Sequence, residues 1–217
     1  MVHDIDKIIQ ILRTFSTKWR EPIVTEISKI ERNPYKVLIS TIISLRTKDD
    51  VTRRASERLY KKAETPESML KLQAGEIEEA IYPAGFYKNK SKTILEVSKT
   101  LIDKYNGKVP DDLDELLTLK GVGRKTANLV LTLGYGLPGI CVDTHVHRIS
   151  NRLGYVSTKT PNETEFVLRD KLPKEYWIEY NDLLVSFGQN ICKPISPLCS
   201  QCPIHDHCMR IGVKIHR

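Results

Sequence analysis

The chain has 217 residues, of which 40% are hydrophobic and 28% are charged, and its formal net charge is +7 at pH 7. This length and apolar content are enough for one large or two small domains with a core, which excludes a disordered protein. No apolar run approaches the roughly 20 residues of a membrane span. Charged residues also interrupt the N-terminal apolar positions, so we expect a soluble intracellular protein without a signal peptide. The net charge favours a polyanionic partner such as nucleic acid, although solvated lysine faces would give the same charge.

Apolar residues recur at helical spacing through most of the chain. The opening run, from Ile5 to Phe15, predicts an amphipathic helix. Asn33 and Pro34 form a plausible helix start, so the apolar run 37–45 is predicted to be a buried helix, although it could be read as a strand. The same spacing recurs around Leu59 and in the segments 77–81, 94–101, 113–117, 129–133, 146–153, 163–172 and 176–187. We therefore predict an all-α protein with short connections, whose strongest candidate for a domain boundary is the turn at 136–139.

Residues 113–128 read as a helix, a glycine hairpin at 121–123 and a second helix. The two glycines permit a tight turn and a close backbone approach. Free N–H groups at the start of the second helix suit a phosphate, and Arg124 and Lys125 would strengthen the positive potential there. The alternative is an ordinary αα-hairpin, in which the glycines only solve a steric problem and Lys125 is solvated.

The last quarter of the chain contains a C-x6-C-x2-C-x5-C run, formed by Cys192, Cys199, Cys202 and Cys208. Thiolates suit zinc or an iron–sulfur cluster, and a metal would stabilise a segment with so few large apolar residues. Four-cysteine zinc sites usually join two C-x2-C pairs, whereas only one pair here has that spacing, so the spacing favours a [4Fe–4S] cluster. Zinc stays an alternative because His205 or His207 could replace a thiolate, and two disulfides are a third interpretation.

Three motifs follow one another in the sequence: Gly-Val-Gly-Arg-Lys-Thr-Ala at 121–127, Val-Asp-Thr-His at 142–145, and the four-cysteine run. In this order they resemble the endonuclease III family of the helix–hairpin–helix DNA glycosylase superfamily. The likeness extends over almost the entire chain, from Asn33-Pro34 through Gly85-Phe86-Tyr87 to Cys208.

The resemblance implies two all-α domains that flank a DNA-binding cleft. One would be a continuous bundle at 27–137, with the helix–hairpin–helix element at about 113–135. The other would combine residues 1–26 with 138–217. It would carry a [4Fe–4S] cluster loop at 192–208, in which the four cysteines are the ligands.

The family's catalytic pair matches Lys125 and Asp143. The lysine attacks the sugar C1′ of a flipped, damaged nucleotide as an uncharged amine, expels the base and forms a Schiff base. The carboxylate stabilises the positive charge on the sugar and assists proton transfers. Without the resemblance, Asp143 would be read as a helix N-cap, and the two roles are compatible.

The resemblance thus implies a bifunctional DNA glycosylase/AP lyase of base excision repair. It would remove oxidised pyrimidines such as thymine glycol and cut 3′ of the abasic site by β-elimination. The expected partner is double-stranded DNA with damaged pyrimidines or abasic sites, bound by a monomer in the cytoplasm or nucleoid.

Further residues are implied as DNA contacts. Those of the hairpin and the following helix are Gly121, Val122, Gly123, Arg124 and Thr126. Arg46 stands where the family has a Gln that fills the gap left by the flipped nucleotide, so the opposite-base preference is expected to differ. Phe86 matches a side chain that wedges into the duplex, although alone it would be read as a core aromatic. His145 and Lys193 complete the set.

Two other functions compete with this interpretation. A glycosylase that acts on uracil or thymine opposite guanine would share the fold, but relatives that only remove the base carry a different residue in place of Lys125. A non-catalytic DNA-binding module would use Lys125 only as an anchor. Such a module has no need of Asp143, whose negative charge would approach DNA unfavourably.

Overall fold

The computed structural model describes residues 4–19 and 21–217, and these residues form helices, turns and loops without a β-strand. The helices are α1 (Ile5–Ser16), α2 (Ile23–Ile30), α3 (Pro34–Ser44), α4 (Asp49–Tyr60), α5 (Pro66–Met69), α6 (Ala74–Ile81), α7 (Tyr87–Tyr105), α8 (Leu113–Thr118), α9 (Arg124–Leu129), α10 (Thr144–Leu153), α11 (Pro161–Lys171) and α12 (Trp177–Asn190). A π-helical segment, Val130–Tyr135, continues α9, and short 3₁₀ turns lie at Lys174–Tyr176, Cys199–Gln201 and His205–His207. The all-α prediction is confirmed, and none of the described helices is long and apolar enough to cross a membrane.

Helix α3 shows why its apolar sequence is helical. The Asn33 side chain accepts hydrogen bonds from the backbone N–H groups of Tyr35, at 3.0 Å, and Lys36, at 3.1 Å. This N-cap, with Pro34 in the first turn, starts a helix at that residue. Every residue from 37 to 43 is buried. The prediction of a buried helix is therefore confirmed, and the alternative strand is wrong.

The chain divides into two compact units. The continuous unit is Ile23–Leu137, and the discontinuous unit combines the described residues up to Pro22 with Pro138–Arg217. The second junction lies within the turn expected at 136–139. The first lies four residues before the expected 26/27 junction, because α2 packs as a whole against α3 and α4. Residues 1–3 and 20, which the sequence places in the discontinuous domain, lie outside the described part.

Within the continuous unit, α3 is the central helix and packs against α2, α4, α7 and α9. The segment after α9 approaches the start of α3 so closely that a Cβ at Gly134 would lie 2.9 Å from the Pro34 Cα. The end of α3 leads into the loop that carries Arg46, while Phe86 immediately precedes α7. The packing of α3 against α7 therefore determines where both loops stand.

The discontinuous unit is organised around α1, α10 and α12, which pack together and share one apolar core. Apolar positions of α1 at Ile5, Ile8, Ile9 and Leu12 belong to this core, as the opening helical pattern predicts. Cys141 is buried, with 1% of its surface exposed. The four-cysteine segment follows α12, and its partly buried cysteines pack against the same core.

Candidate active site and metal centre

The glycine hairpin joins α8 to α9 in the continuous unit. Gly121 has a φ of +74°, and a Cβ there would meet the Thr93 methyl carbon at 2.9 Å. Gly123 precedes α9 in an extended conformation, and apart from Gly123 and its chain neighbours no described residue has a heavy atom within 4 Å of a Cβ built on it. The first glycine therefore solves a conformational problem, whereas the second leaves the start of α9 sterically open.

Residues around the hairpin differ in exposure. Val122 and Thr126 are only 6% and 2% exposed, so their side chains pack inside the unit. Because these two side chains offer almost no surface, any contact of Val122 or Thr126 with DNA would come from their backbone. Arg124 and Lys125 are half-buried in the first turn of α9.

Asp143 lies in the discontinuous unit and caps α10. Its Oδ1 accepts hydrogen bonds from the N–H groups of His145, at 2.7 Å, and Val146, at 2.9 Å. Its Oδ2 accepts no hydrogen bond from the described residues. The N-cap interpretation is therefore confirmed, and the cap uses only one of the two carboxylate oxygens.

His145 follows this cap, and its ring lies against α12. A Cβ at Gly188 would stand 2.3 Å from the His145 Nδ1, so the packing requires glycine there. The same Nδ1 lies 3.1 Å from the Arg148 guanidinium, which also donates to the Cys192 carbonyl at 2.7 Å. Burial lowers the pKa of Arg148. The sequence did not identify Arg148 as a site residue. Its position three residues after His145 in α10 places both side chains on one face of the helix.

Arg46 and Phe86 come together in the continuous unit. The Arg46 guanidinium carbon lies 5.0 Å from the centre of the Phe86 ring. Phe86 is 58% exposed, so the interpretation as an ordinary core aromatic is wrong. Both residues have left-handed backbones, with φ of 55° and 59°. The two expected probes of the duplex thus form a single exposed cation–π pair.

The four cysteines of the carboxyl-terminal segment line one cavity, together with apolar residues of α10 and α12. None of these cysteines forms a disulfide, which excludes the third interpretation of the run. Among the described residues, no three potential ligands converge closely enough for a single metal ion. Burial raises the pKa of the Cys202 thiol to about 12, so a metal would be needed to hold it as a thiolate at neutral pH. Four soft donors around a shared apolar cavity fit an iron–sulfur cluster.

Arg152 of α10 holds the start of this segment. Its guanidinium donates to the Lys193 and Pro194 carbonyls, both at 2.7 Å, and lies 3.4 Å from the Cys192 Sγ. Lys193 is half-buried, and its backbone is occupied by this contact. His205, a candidate zinc ligand, has one ring nitrogen on Arg210 and the other 3.1 Å from Asp206.

Comparison with known proteins agrees with these features. Residues 39–174 match the HhH-GPD superfamily of base excision DNA repair proteins, and residues 192–208 match the iron–sulfur binding domain of endonuclease III. Endonuclease III of Thermotoga maritima is 49% identical over 82% of this chain and 84% of its own length. That of Bacillus subtilis is 40% identical over 87% and 86%. The chain spans about half, 48%, of two chloroplastic endonuclease III homologues of Arabidopsis thaliana.

Solved structures of complexes with DNA share the fold. A non-covalent endonuclease III–DNA complex superposes with a TM-score of 0.84 at 36% identity, over 95% of this chain and 94% of that one. A trapped endonuclease III–DNA covalent intermediate gives 0.77 at 40% identity, over 82% and 84%. A thermostable thymine-DNA glycosylase shares the fold alone, at 23% identity, with a TM-score of 0.75 over 93% and 96%. The chain therefore belongs to the endonuclease III family of DNA glycosylases, base excision repair enzymes of the HhH-GPD superfamily that carry a [4Fe–4S] cluster.

Proposed function

We propose that this protein is a bifunctional DNA glycosylase/AP lyase that removes oxidised pyrimidines such as thymine glycol from double-stranded DNA. The observation that carries the proposal is Lys125 at the start of α9, behind the glycine hairpin, in a chain 40% identical to an endonuclease III trapped in a covalent intermediate with DNA. A covalent intermediate requires a nucleophile, and a primary amine is the side chain that forms a Schiff base with a sugar aldehyde.

In the proposed reaction, the uncharged Lys125 Nζ attacks C1′ of the extruded nucleotide, and the C1′–N bond to the base breaks. The base leaves with a proton, the sugar ring opens, and Nζ and C1′ form an imine. Loss of a C2′ proton then breaks the C3′–O bond, which cuts the strand 3′ of the site. Water finally releases the unsaturated aldehyde and restores the amine.

Asp143 has the role of stabilising positive charge on the sugar and relaying protons. Its capping bonds use Oδ1, and Oδ2 accepts no hydrogen bond from the described residues, so the cap fixes the carboxylate in position and leaves one oxygen available. This arrangement speaks against a non-catalytic module, in which an open carboxylate would only repel phosphates.

The proposed DNA contacts come from several surfaces. Phosphates would be held by the hairpin glycines, by Arg124 and by the backbone N–H groups beside Arg124. Such contacts position a protein on DNA without reading the bases. Arg46 and Phe86 would enter the duplex at the lesion, and His145 and Lys193 would add contacts from the discontinuous unit. We expect a monomer to be sufficient, acting in the cytoplasm or nucleoid where chromosomal DNA lies.

Cys192, Cys199, Cys202 and Cys208 are the proposed ligands of the [4Fe–4S] cluster. When bound, the cluster cross-links the segment through iron–thiolate bonds, while the reaction at C1′ is carried by the protein's own side chains. Arg152 and Arg148 bind the carbonyls of this segment, so they orient it on α10.

The main alternative, a glycosylase for uracil or thymine opposite guanine, rests on a shared fold alone.

Borohydride trapping tests the proposal with duplexes that contain thymine glycol, an abasic site, or uracil opposite guanine. Wild type should form a covalent adduct on the first two duplexes, and Lys125→Gln should form none while it still binds DNA. An adduct only on the abasic or uracil duplex would contradict thymine glycol as the substrate and favour a glycosylase that acts on mismatched bases. A Lys125→Gln variant with full trapping would contradict the mechanism.

A further inference from the structure

Lys90 is a charged residue on the buried face of α7. It is 6% exposed and lies in the first turn of the helix, on the face that also buries Ile94 and Val97. Burial of an ammonium group is unfavourable unless other contacts replace its lost hydration. The fold therefore retains a costly group at a position where an apolar side chain would pack more easily.

The Lys90 ammonium has three oxygen acceptors. Its Nζ donates to the carbonyls of Ile43 and Leu45, both at 2.6 Å, and to the Thr47 hydroxyl at 2.9 Å. A lysine ammonium has three donors, so all of them are used. The two carbonyls lie at the carboxyl-terminal end of α3, where helix carbonyls lack helical partners and a cation is favourable. Burial lowers the pKa of Lys90 to about 8, so the charged form still predominates at pH 7.

Thr47 extends this contact to the neighbouring loop. Its hydroxyl accepts a hydrogen bond from the Gly85 N–H at 3.0 Å, as well as from Lys90. Gly85 in turn lies so close to the Arg46 carbonyl that a Cβ would approach it to 2.6 Å. The loop after α3 and the loop before α7 are thus joined through one hydroxyl group and one buried cation.

The tips of these two loops are Arg46 and Phe86. Each is a non-glycine residue with a left-handed backbone, and such conformations persist only where surrounding contacts over-determine them. Lys90 binds the carbonyl immediately before Arg46 and the side chain immediately after it. Lys90 therefore restrains the backbone at Arg46 directly. Through Thr47 and Gly85 it also restrains the backbone at Phe86.

We propose that Lys90 is a positioning residue that holds Arg46 and Phe86 in one fixed arrangement, ready to enter the duplex when the damaged nucleotide leaves the stack. This inference rests on the proposed function, since it assumes that both tips meet DNA. Lys90 itself touches neither the nucleotide nor the reacting atoms. Its loss should reduce the efficiency of lesion extrusion and leave the chemistry of Lys125 intact.

The test compares Lys90→Met with Lys99→Met, which removes the same charge from an exposed position of the same helix. Single-turnover excision from a thymine glycol duplex should fall about 100-fold in Lys90→Met, as misplacement of groups by about 1 Å can cause. Excision should stay unchanged in Lys99→Met. Lys90→Arg, which keeps the charge and several donors, should recover part of the rate.

A second readout separates positioning from general damage to the fold. In the Lys125→Gln background, 2-aminopurine opposite a tetrahydrofuran abasic analogue should change fluorescence when Arg46 and Phe86 enter the duplex. At saturating protein, Lys90→Met should lose this change and Lys99→Met should keep it. Equal signals in both variants would overturn the inference.

Thr47→Val keeps the test decisive if Lys90→Met does not fold. It removes only the bridging hydroxyl from a partly exposed loop, and a smaller loss of excision and fluorescence is expected. Wild-type levels of both in Thr47→Val, with normal circular dichroism, would overturn the inference. Absence of excision in wild type would instead contradict the proposed function, so the two failures are distinguishable.

Discussion

Replacement of Asp143 separates its capping role from its proposed catalytic role. Asn keeps an oxygen that can accept from the N–H groups of His145 and Val146, at present 2.7 and 2.9 Å from Oδ1, but it removes the charge. Ser keeps a capping oxygen on a shorter side chain, and Ala removes the cap. These three substitutions should therefore differ in stability but share the loss of activity.

The stability ranking follows from the cap. Asp143→Ala should lose about 1 kcal/mol of unfolding free energy, which lowers the apparent Tm by about 2–4 °C for a chain of this size. Asp143→Asn and Asp143→Ser should stay within a few tenths of a kcal/mol of wild type, because both residues are strong N-caps. Thermal unfolding followed by circular dichroism, with cluster absorbance monitored in parallel, measures the difference.

The expected activities follow from the loss of the carboxylate. All three variants should lose about 100-fold or more in the single-turnover rate of base release, the usual contribution of a positioned acid–base group. Asp143→Asn is the most informative, since it should be nearly as stable as wild type yet almost inactive. If Asp143→Ser or Asp143→Asn retained the wild-type rate, or if rates simply followed stability, the cap would explain the residue and the catalytic role would be refuted.

Three further predictions concern the hairpin, the cluster and the buried lysine. Gly121→Ala should destabilise by about 1 kcal/mol or more and weaken DNA binding, because its left-handed φ and the 2.9 Å contact with Thr93 exclude a methyl group. Gly123→Ala is the matched control for fold stability measured by urea denaturation, and equal losses would contradict the steric argument. Cys202→Ser should lose iron and the cluster absorbance at about 400 nm, and the segment 192–208 should become sensitive to proteolysis. Retention of the full iron content would exclude Cys202 as a ligand. Since Lys90 has a folded-state pKa of about 8, below the ordinary lysine value of about 10.4, the unfolded chain binds more protons between these pH values. The unfolding free energy of wild type relative to that of Lys90→Met should therefore rise with pH across that window. Urea denaturation at several pH values measures this difference, and a difference that does not change with pH would contradict the prediction.

Much of the fold is visible in the sequence because it depends on local patterns. Apolar spacing and the Asn33 cap determine that the run 37–45 is helical, and the cysteine spacing is already uneven in a way that favours a cluster. Gly121 can be recognised as a turn residue for the same reason. These features are encoded within a few residues of where they act.

Features that depend on tertiary contacts were not predicted. A lysine at position 90 reads as a solvated charge, and only the end of α3 packed against α7 makes it a buried donor to three oxygens. Left-handed backbones at Arg46 and Phe86 have no local signal, since neither is glycine. Burial of Thr126 likewise follows from how α9 packs, which a motif alone does not specify.

The most direct test of the account is to map the covalent adduct. Wild type would be trapped with borohydride on a thymine glycol duplex, digested, and examined by mass spectrometry for the residue that carries the sugar remnant. The account predicts the adduct on Lys125 alone. An adduct on another amine, such as the nearby Lys120, in a protein that still releases the base would contradict the claim that Lys125 is the nucleophile.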